Sequence, residues 1–254
     1  MANILERYGI KEVADVMFYQ INNDGTAGAP VLYLDTLKVS TIEQTAEEAT
    51  ANGGKGNPPL IIWDYGKEIT VTLEDALFSA KSMAIMFGNG TVATDMNSLK
   101  KTISWTCTTE QSTPPTEFEG PQGKRYKVPV DSQDTSKLDA VTYDATGAPT
   151  ESYVVGQIYY TTFDMPITGA GTIEISANSF PGTYYVTGDT FARSEITGAD
   201  EFFQFIIPKA KVQAENTITL EAEGDPSVFN MNLRVLRPAG GGAMMKLVKY
   251  DMTA

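Results

Sequence analysis

The chain has no histidine and a single cysteine, Cys107, in 254 residues. Imidazole is the side chain that titrates closest to neutral pH and the commonest metal ligand. Its absence excludes a Ser-His-Asp triad, a Cys-His pair, an HExxH zinc site and any His-ligated metal. One thiol cannot close an internal disulfide, and nothing here requires an oxidising compartment. Positive charge is scarce as well. With 19 Lys and Arg against 32 Asp and Glu, the formal net charge is -13, which opposes tight binding to a phosphate backbone and leaves nucleic acid at most a transient passenger. No apolar run reaches the length of a membrane span. The start, Met1-Ala2-Asn3-Ile4-Leu5-Glu6-Arg7, lacks the basic and apolar regions of a secretory leader. The expectation is a protein made and folded in a cytoplasm, with no membrane insertion, no cofactor, no metal and no catalytic group.

What the sequence does contain is alternation. Ile69, Val71 and Leu73 interleave with Glu68, Thr70, Thr72 and Glu74, the period of a strand with one dry face and one wet one. Phe229, Met231, Leu233 and Val235 repeat the pattern with Asn230, Asn232 and Arg234 opposite. Ile103, Trp105 and Cys107 share a face, as do Ile173 with Ile175 and Ile218 with Leu220. Aromatic and β-branched runs over 31–37, 158–163, 184–187, 202–207 and 245–250 favour further strands. Asp24-Gly25, Gly53-Gly54, Asn89-Gly90, Pro181-Gly182 and Asp225-Pro226 mark turns. The fold class is all-β or mainly β.

One segment breaks the rhythm. Ser79 is an N-cap, Met83, Met86 and Phe87 recur at helical spacing, and Gly88 is a stop, so 79–88 reads as a short helix. A second short helix near Asn3 is compatible with Leu5, Tyr8 and Val13. Thr41 to Pro59 is polar and glycine-rich, longer than a hairpin turn, and reads as a long functional loop. Residues 111–149 are rich in Pro, Gly, Asp and Ser and read as an inserted loop or subdomain with a little strand around 126–130. The chain is expected to form one β domain over 1–254 carrying those two excursions.

The candidate motifs of chemistry are weak. Gly53-Gly54-Lys55-Gly56 lacks the spacing and the Ser or Thr of a phosphate loop. Asn22-Asn23-Asp24-Gly25 suggests a calcium loop, yet Gln20 and Val31 stand where ligands belong, which leaves a solvated turn. Glu221 and Glu223 project to one strand face and satisfy the residue types of glycoside hydrolysis, as do many pairs in so acidic a chain. Trp63, Trp105, Tyr159-Tyr160 and Tyr184-Tyr185 are platforms for sugar stacking if they are not core or interface.

Two blocks carry a resemblance. Gly53-Gly54-Lys55-Gly56-Asn57-Pro58-Pro59-Leu60-Ile61-Ile62-Trp63-Asp64-Tyr65-Gly66, continuing to Leu77, resembles the major tail tube proteins of tailed bacteriophages. Phe203 to Val212, followed by Ile218 to Met231, is similar to the late strands of the same group. The resemblance implies a sandwich or split barrel with a flanking helix, assembling into hexameric rings whose inner strands form a continuous barrel around a channel. It also implies a virion protein, assembled in the host cytoplasm, whose partners are itself and other tail proteins such as sheath, tape measure, baseplate or terminator, and which conducts DNA at ejection. Under that reading Glu68, Thr70, Thr72, Glu74, Thr217, Thr219, Glu221 and Glu223 line the channel, and Glu47, Glu48, Asn52, Gly53, Gly54, Lys55, Gly56 and Asn57 make the contact between rings. Alternatives left open are a tail initiator, hub or terminator ring on the same fold, and a carbohydrate-binding adhesin sandwich.

Overall fold

The computed structural model of the chain describes residues 7–10, 12–88, 91–94, 98–108, 124–127, 139–142, 144–145, 150–218 and 228–250. The chain divides into two compact units, one formed by residues up to 92 together with those from 173 onward, the other by 93–172.

The first unit is built from β1 (Tyr8–Ile10), β2 (Asp15–Ile21), β3 (Ala27–Leu34), β4 (Leu37–Asn52), β5 (Pro59–Asp75) and α1 (Ala80–Phe87), and later from β10 (Thr183–Ser194), β11 (Asp200–Val212), β12 (Phe229–Val235) and β13 (Lys246–Tyr250). All its strand pairs are antiparallel, in the order β3-β2-β10-β11-β12-β5-β4, with β1 added to β10 and β13 to β11. Alternation dictates which face turns inward. Val16 and Phe18 of β2, Ile69, Val71 and Leu73 of β5, Ile207 of β11, and Met231 and Leu233 of β12 meet in one core. Burying each such side chain stabilises the fold by about 1.5–3 kcal/mol. The outermost strands β3 and β4 are separated only by Asp35 and Thr36, yet both send leucines, Leu34 and Leu37, into that same core. The sheet therefore curls on itself, in keeping with the sandwich or split barrel that the resemblance implies. Thr36 Oγ1 donates to Asp75 Oδ1 at 2.5 Å and fastens the seam to β5.

The helix begins and ends where its caps place it. Ser79 Oγ accepts from Ser82 N at 3.0 Å, Ser82 Oγ accepts from Ser79 N at 2.9 Å, and Gly88 closes the last turn at φ 96°. The buried face carries Ser82, Ala84, Ile85 and Met86, while Met83 and Phe87 are half-buried. The face expected from Met83, Met86 and Phe87 is thus rotated toward Ile85. Asn216 Nδ2 donates to Met86 O at 2.8 Å, a side-chain bond to the end of the helix.

The second unit is a small antiparallel sheet in the order β6-β9-β7-β8, formed by β6 (Ser98–Thr106), β7 (Lys124–Lys127), β8 (Asp139–Ala140) and β9 (Ile158–Pro166). Cys107, Tyr153 and Tyr159 form its buried centre, against Ile103 and Trp105. Only 124–127, 139–142 and 144–145 of the segment expected as an insertion lie within the described residues; β7 includes Tyr126 and Lys127 of the strand expected around 126–130, and 128–130 lie outside them.

Four expectations are corrected. Thr41 to Asn52 is strand, and the loop shrinks to a turn over 53–58, because every stretch of β4 finds a partner on β5 despite its low strand propensity. Ile173 and Ile175 lie outside any strand, and Ile175 is exposed, since only Thr172 bridges back to Ala93. Ile218 lies off the sheet in an irregular segment after β11, held near the helix by Asn216, while Leu220 is outside the described residues. Tyr8 sits in β1, paired with Ser194, rather than in a helix, and Asn3 and Leu5 are outside the described residues.

Gly188 faces Phe205 across the β10–β11 pair, and a Cβ there meets the buried ring at 2.1 Å. Gly188→Ala is expected to destabilise the fold by about 1–3 kcal/mol through overpacking, measured as a lower urea midpoint. An unchanged midpoint contradicts this packing.

Candidate assembly surface

The wet face of β5 joins those of its neighbours into one polar surface. Directly opposed residues share a face, so Glu74 lies beside Asn230, Thr72 between Thr41 and Asn232, Thr70 between Glu43 and Arg234, and Glu68 beside Thr45. Thr72 Oγ1 donates to Asn232 Oδ1 at 3.1 Å. Arg234 grips Glu68 with a two-pronged contact, Nε to Oε1 at 2.8 Å and Nη2 to Oε2 at 2.9 Å. Lys211 stands opposite Arg234 on the next strand. The surface is therefore acidic and hydroxyl-rich along β4 and β5 and turns basic toward β12 and β11.

Glu68, Thr70, Thr72 and Glu74 are thus brought together on one face, as the sequence predicts for them. Thr217 is not on that surface. It is exposed in the irregular segment after β11, and Thr219, Glu221 and Glu223 lie outside the described residues. The inter-ring candidates fall on one element. Glu47 and Glu48 are exposed on β4, Asn52 ends that strand, and Gly53, Gly54, Lys55, Gly56 and Asn57 form the tip. Asn57 N donates to Gly54 O at 3.1 Å, and Gly53 N to Pro58 O at 3.1 Å.

The last pair between β12 and β5 is Arg234 with Thr70. Beyond it, among the described residues, β5 from Pro59 to Ile69 pairs only with β4, and the outer edge of β4 pairs with nothing. The result is a two-stranded arm. Its pleat is reset by a bulge: Thr45 opposes Glu68, but Glu47 opposes Tyr65, so β5 carries one extra residue at Gly66–Lys67. Gly66 has φ 63°, the left-handed conformation open to glycine. The extra residue turns Ile61, Trp63 and Tyr65 onto the same face as Thr70 and Thr72, opposite Ala51, Ala49 and Glu47. Each of the three is a little over half exposed. Their role escapes a reading by periodicity, because the bulge breaks the alternation; Tyr65-Gly66-Lys67 is the only local signal.

Elsewhere the unit has two notable concavities. One, near β1, β2 and β10, is lined by Glu12, Asp15, Asp189 and Asp200 with Arg193, whose Nε and Nη2 both reach Asp200 at 2.7 Å. That pairing holds the Asp200 carboxyl below the usual carboxylate range. The other, about 440 Å³, is an apolar groove between β1 and β13 lined by Tyr8, Ile10, Ala192, Phe203, Leu247 and Val248, with Lys249 at one end. Lys249 bridges Glu201 and the Tyr8 hydroxyl and stands 3.8 Å above the Tyr8 ring. Desolvation works against its charge, but the bonds to Glu201 and Tyr8 prevail and hold its pKa above the ordinary lysine value.

The candidate ligand sites resolve differently. Asp24 Oδ1 is occupied by Thr26, accepting from its backbone N at 3.0 Å and its hydroxyl at 2.7 Å, as an ordinary turn. Trp105 stacks on Tyr159 at 5.8 Å and meets Tyr153 edge-on at 5.3 Å, inside the second unit's own centre. Tyr184 packs against Phe18 and Tyr185 against Tyr19. Of the aromatic platforms, Trp63 on the arm is the one turned to solvent.

Curled antiparallel sheet, polar strand face and projecting ribbon define a β protein whose prominent surfaces are faces and edges of sheets. From residue 8 to residue 247 the sequence matches the YomU/Tube protein family, and the chain belongs to it. That family is one of phage tail tube proteins, which makes the chain a virion component. No curated protein shows significant similarity to the chain. Among the described residues no helix is long and apolar enough to cross a membrane.

A β-branched residue at Gly66 must adopt a left-handed conformation that costs about 1–2 kcal/mol. Gly66→Val is therefore expected to loosen the arm and accelerate tryptic cleavage at Lys55 and Lys67. Cleavage at the wild-type rate contradicts the bulge's role.

Proposed function

We propose that copies of this chain polymerise as stacked rings, hexameric as the family resemblance implies, into the tube that conducts DNA during ejection, without chemistry of their own. The observation that carries this reading is the arm. A two-stranded ribbon exposed on both faces and both edges is marginal in water, and its unpaired edge invites another strand. A neighbouring copy supplies what the ribbon lacks, and closure into a ring removes free edges.

In this reading the polar face of β5 and its neighbours forms the channel wall. Glu68, Thr70, Thr72 and Glu74, with Thr41, Glu43 and Thr45 beside them, line the bore. Carboxylates repel phosphates, and hydroxyls offer DNA no fixed grip. The Arg234–Glu68 pair keeps that charge low without making the wall sticky. The tip, Asn52 to Asn57, with Glu47 and Glu48 behind it, reaches the next ring. Sheath, tape measure, baseplate and terminator proteins are the further partners, with assembly in the host cytoplasm.

Negative-stain microscopy of the purified protein tests the reading. Hollow rods or rings are expected; a protein that stays monomeric at high concentration contradicts it. Deleting Asn52 to Asn57 is expected to leave a folded protomer that elongates poorly, and rods of normal length from that variant contradict the role of the tip.

A further inference from the structure

We propose that the arm of one copy docks on a second copy, seating Trp63, with Ile61 and Tyr65 beside it, in the apolar groove between β1 and β13. The proposal rests on the tube reading and adds to it the anchor residues and their receptor. Trp63 and Ile61 stand on an alanine floor, opposite Ala49 and Ala51. The small residues leave the larger ones raised as knobs. Rigid aromatic anchors of this kind dominate interfaces when they fill a pocket. Both exposures are large for apolar side chains, 53% for Trp63 and 52% for Ile61.

The groove supplies the complementary apolar surface. Ile10 and Leu247 on its walls are 56% and 60% exposed. The arm is acidic on balance, with Glu47, Glu48 and Asp64 against Lys67 beside the bulge and Lys55 at the tip. The groove's rim is close to neutral: Arg7, exposed beside β1, stands 3.8 Å from Glu195. Glu201 is already neutralised by Lys249. The other concavity of the unit, with Glu12, Asp15, Asp189 and Asp200, repels the same arm. Arm and groove are different patches of one surface, so the contact is head-to-tail and propagates into a ring or a stack.

Ala49→Cys, beside Trp63, combined with Ile10→Cys on the groove wall tests the docking, since both substitutions keep Trp63 and Leu247 in place and Cys107 is buried. In assembled rods of the full chain carrying both substitutions, mild oxidation is expected to join the arm thiol of one copy to the groove thiol of another, read by peptide mapping. Rods that carry no such disulfide, or that join two arm thiols to each other, overturn the docking while leaving the tube reading intact. Absence of rods from wild-type protein overturns the tube reading and the docking with it. A second test uses single variants whose monomers keep the wild-type melting temperature. Trp63→Ser and Leu247→Asp are each expected to slow rod growth at least tenfold, and wild-type growth by either overturns the docking.

Discussion

A β-ribbon of two strands cannot bury its own faces, and the rest of this molecule depends on how that deficit is met. Along most of the chain it is met internally. The first unit's sheet curls until strands from both of its outer edges contribute to one core, so Val71, Leu73, Ile207 and Leu233 are fully buried. The arm is the exception. Past Thr70 the hairpin outruns β12 and, among the described residues, keeps only its own cross-strand bonds. A hydrogen-bonded ladder alone contributes little net free energy, because water competes for the same groups. The arm's apolar side chains have their stabilising burial still to gain, and a second copy is the simplest source of it.

The bulge at Gly66 links the barrel to the arm. On the barrel side of it, the solvent face of β5 is Glu68, Thr70, Thr72 and Glu74; on the arm side, the same face is Tyr65, Trp63 and Ile61. One inserted residue thus converts a polar wall into an apolar grip within a single strand. Both functions need to share a strand if a wall is to be continuous with the contacts that close it. The Arg234–Glu68 pair sits at that junction. At partly exposed sites such pairs contribute about 0–1 kcal/mol, so its effect is to orient the face more than to stabilise it.

The sequence was informative where burial was one-sided. Ile69 to Leu73 and Phe229 to Val235 alternate because water lies on one side and core on the other, and the helix was legible from its Ser79 and Gly88 caps. Thr41 to Asn52 was illegible for the converse reason. Both of its faces are wet, so no period-two signal exists, and Glu, Gln and Ala give it a poor strand propensity. Only the partner strand decides its conformation. Ile173 and Ile175 show the opposite failure, in which a short alternating pair finds, among the described residues, no neighbouring strand to complete it. The polar face of β5 was readable residue by residue, whereas the groove between β1 and β13 was not. It unites the two ends of the described chain, and no local pattern joins Tyr8 to Leu247.

Hydrogen exchange of the arm's backbone amides, compared between monomer and assembled rods, tests the central claim most directly. If a second copy completes the ribbon, the outward amides of β4 from Thr45 to Asn52 exchange rapidly in the monomer and become strongly protected in rods, while the core strands β11 and β12 are protected in both. Arm amides already protected in the monomer, or still exchanging rapidly in rods, contradict it.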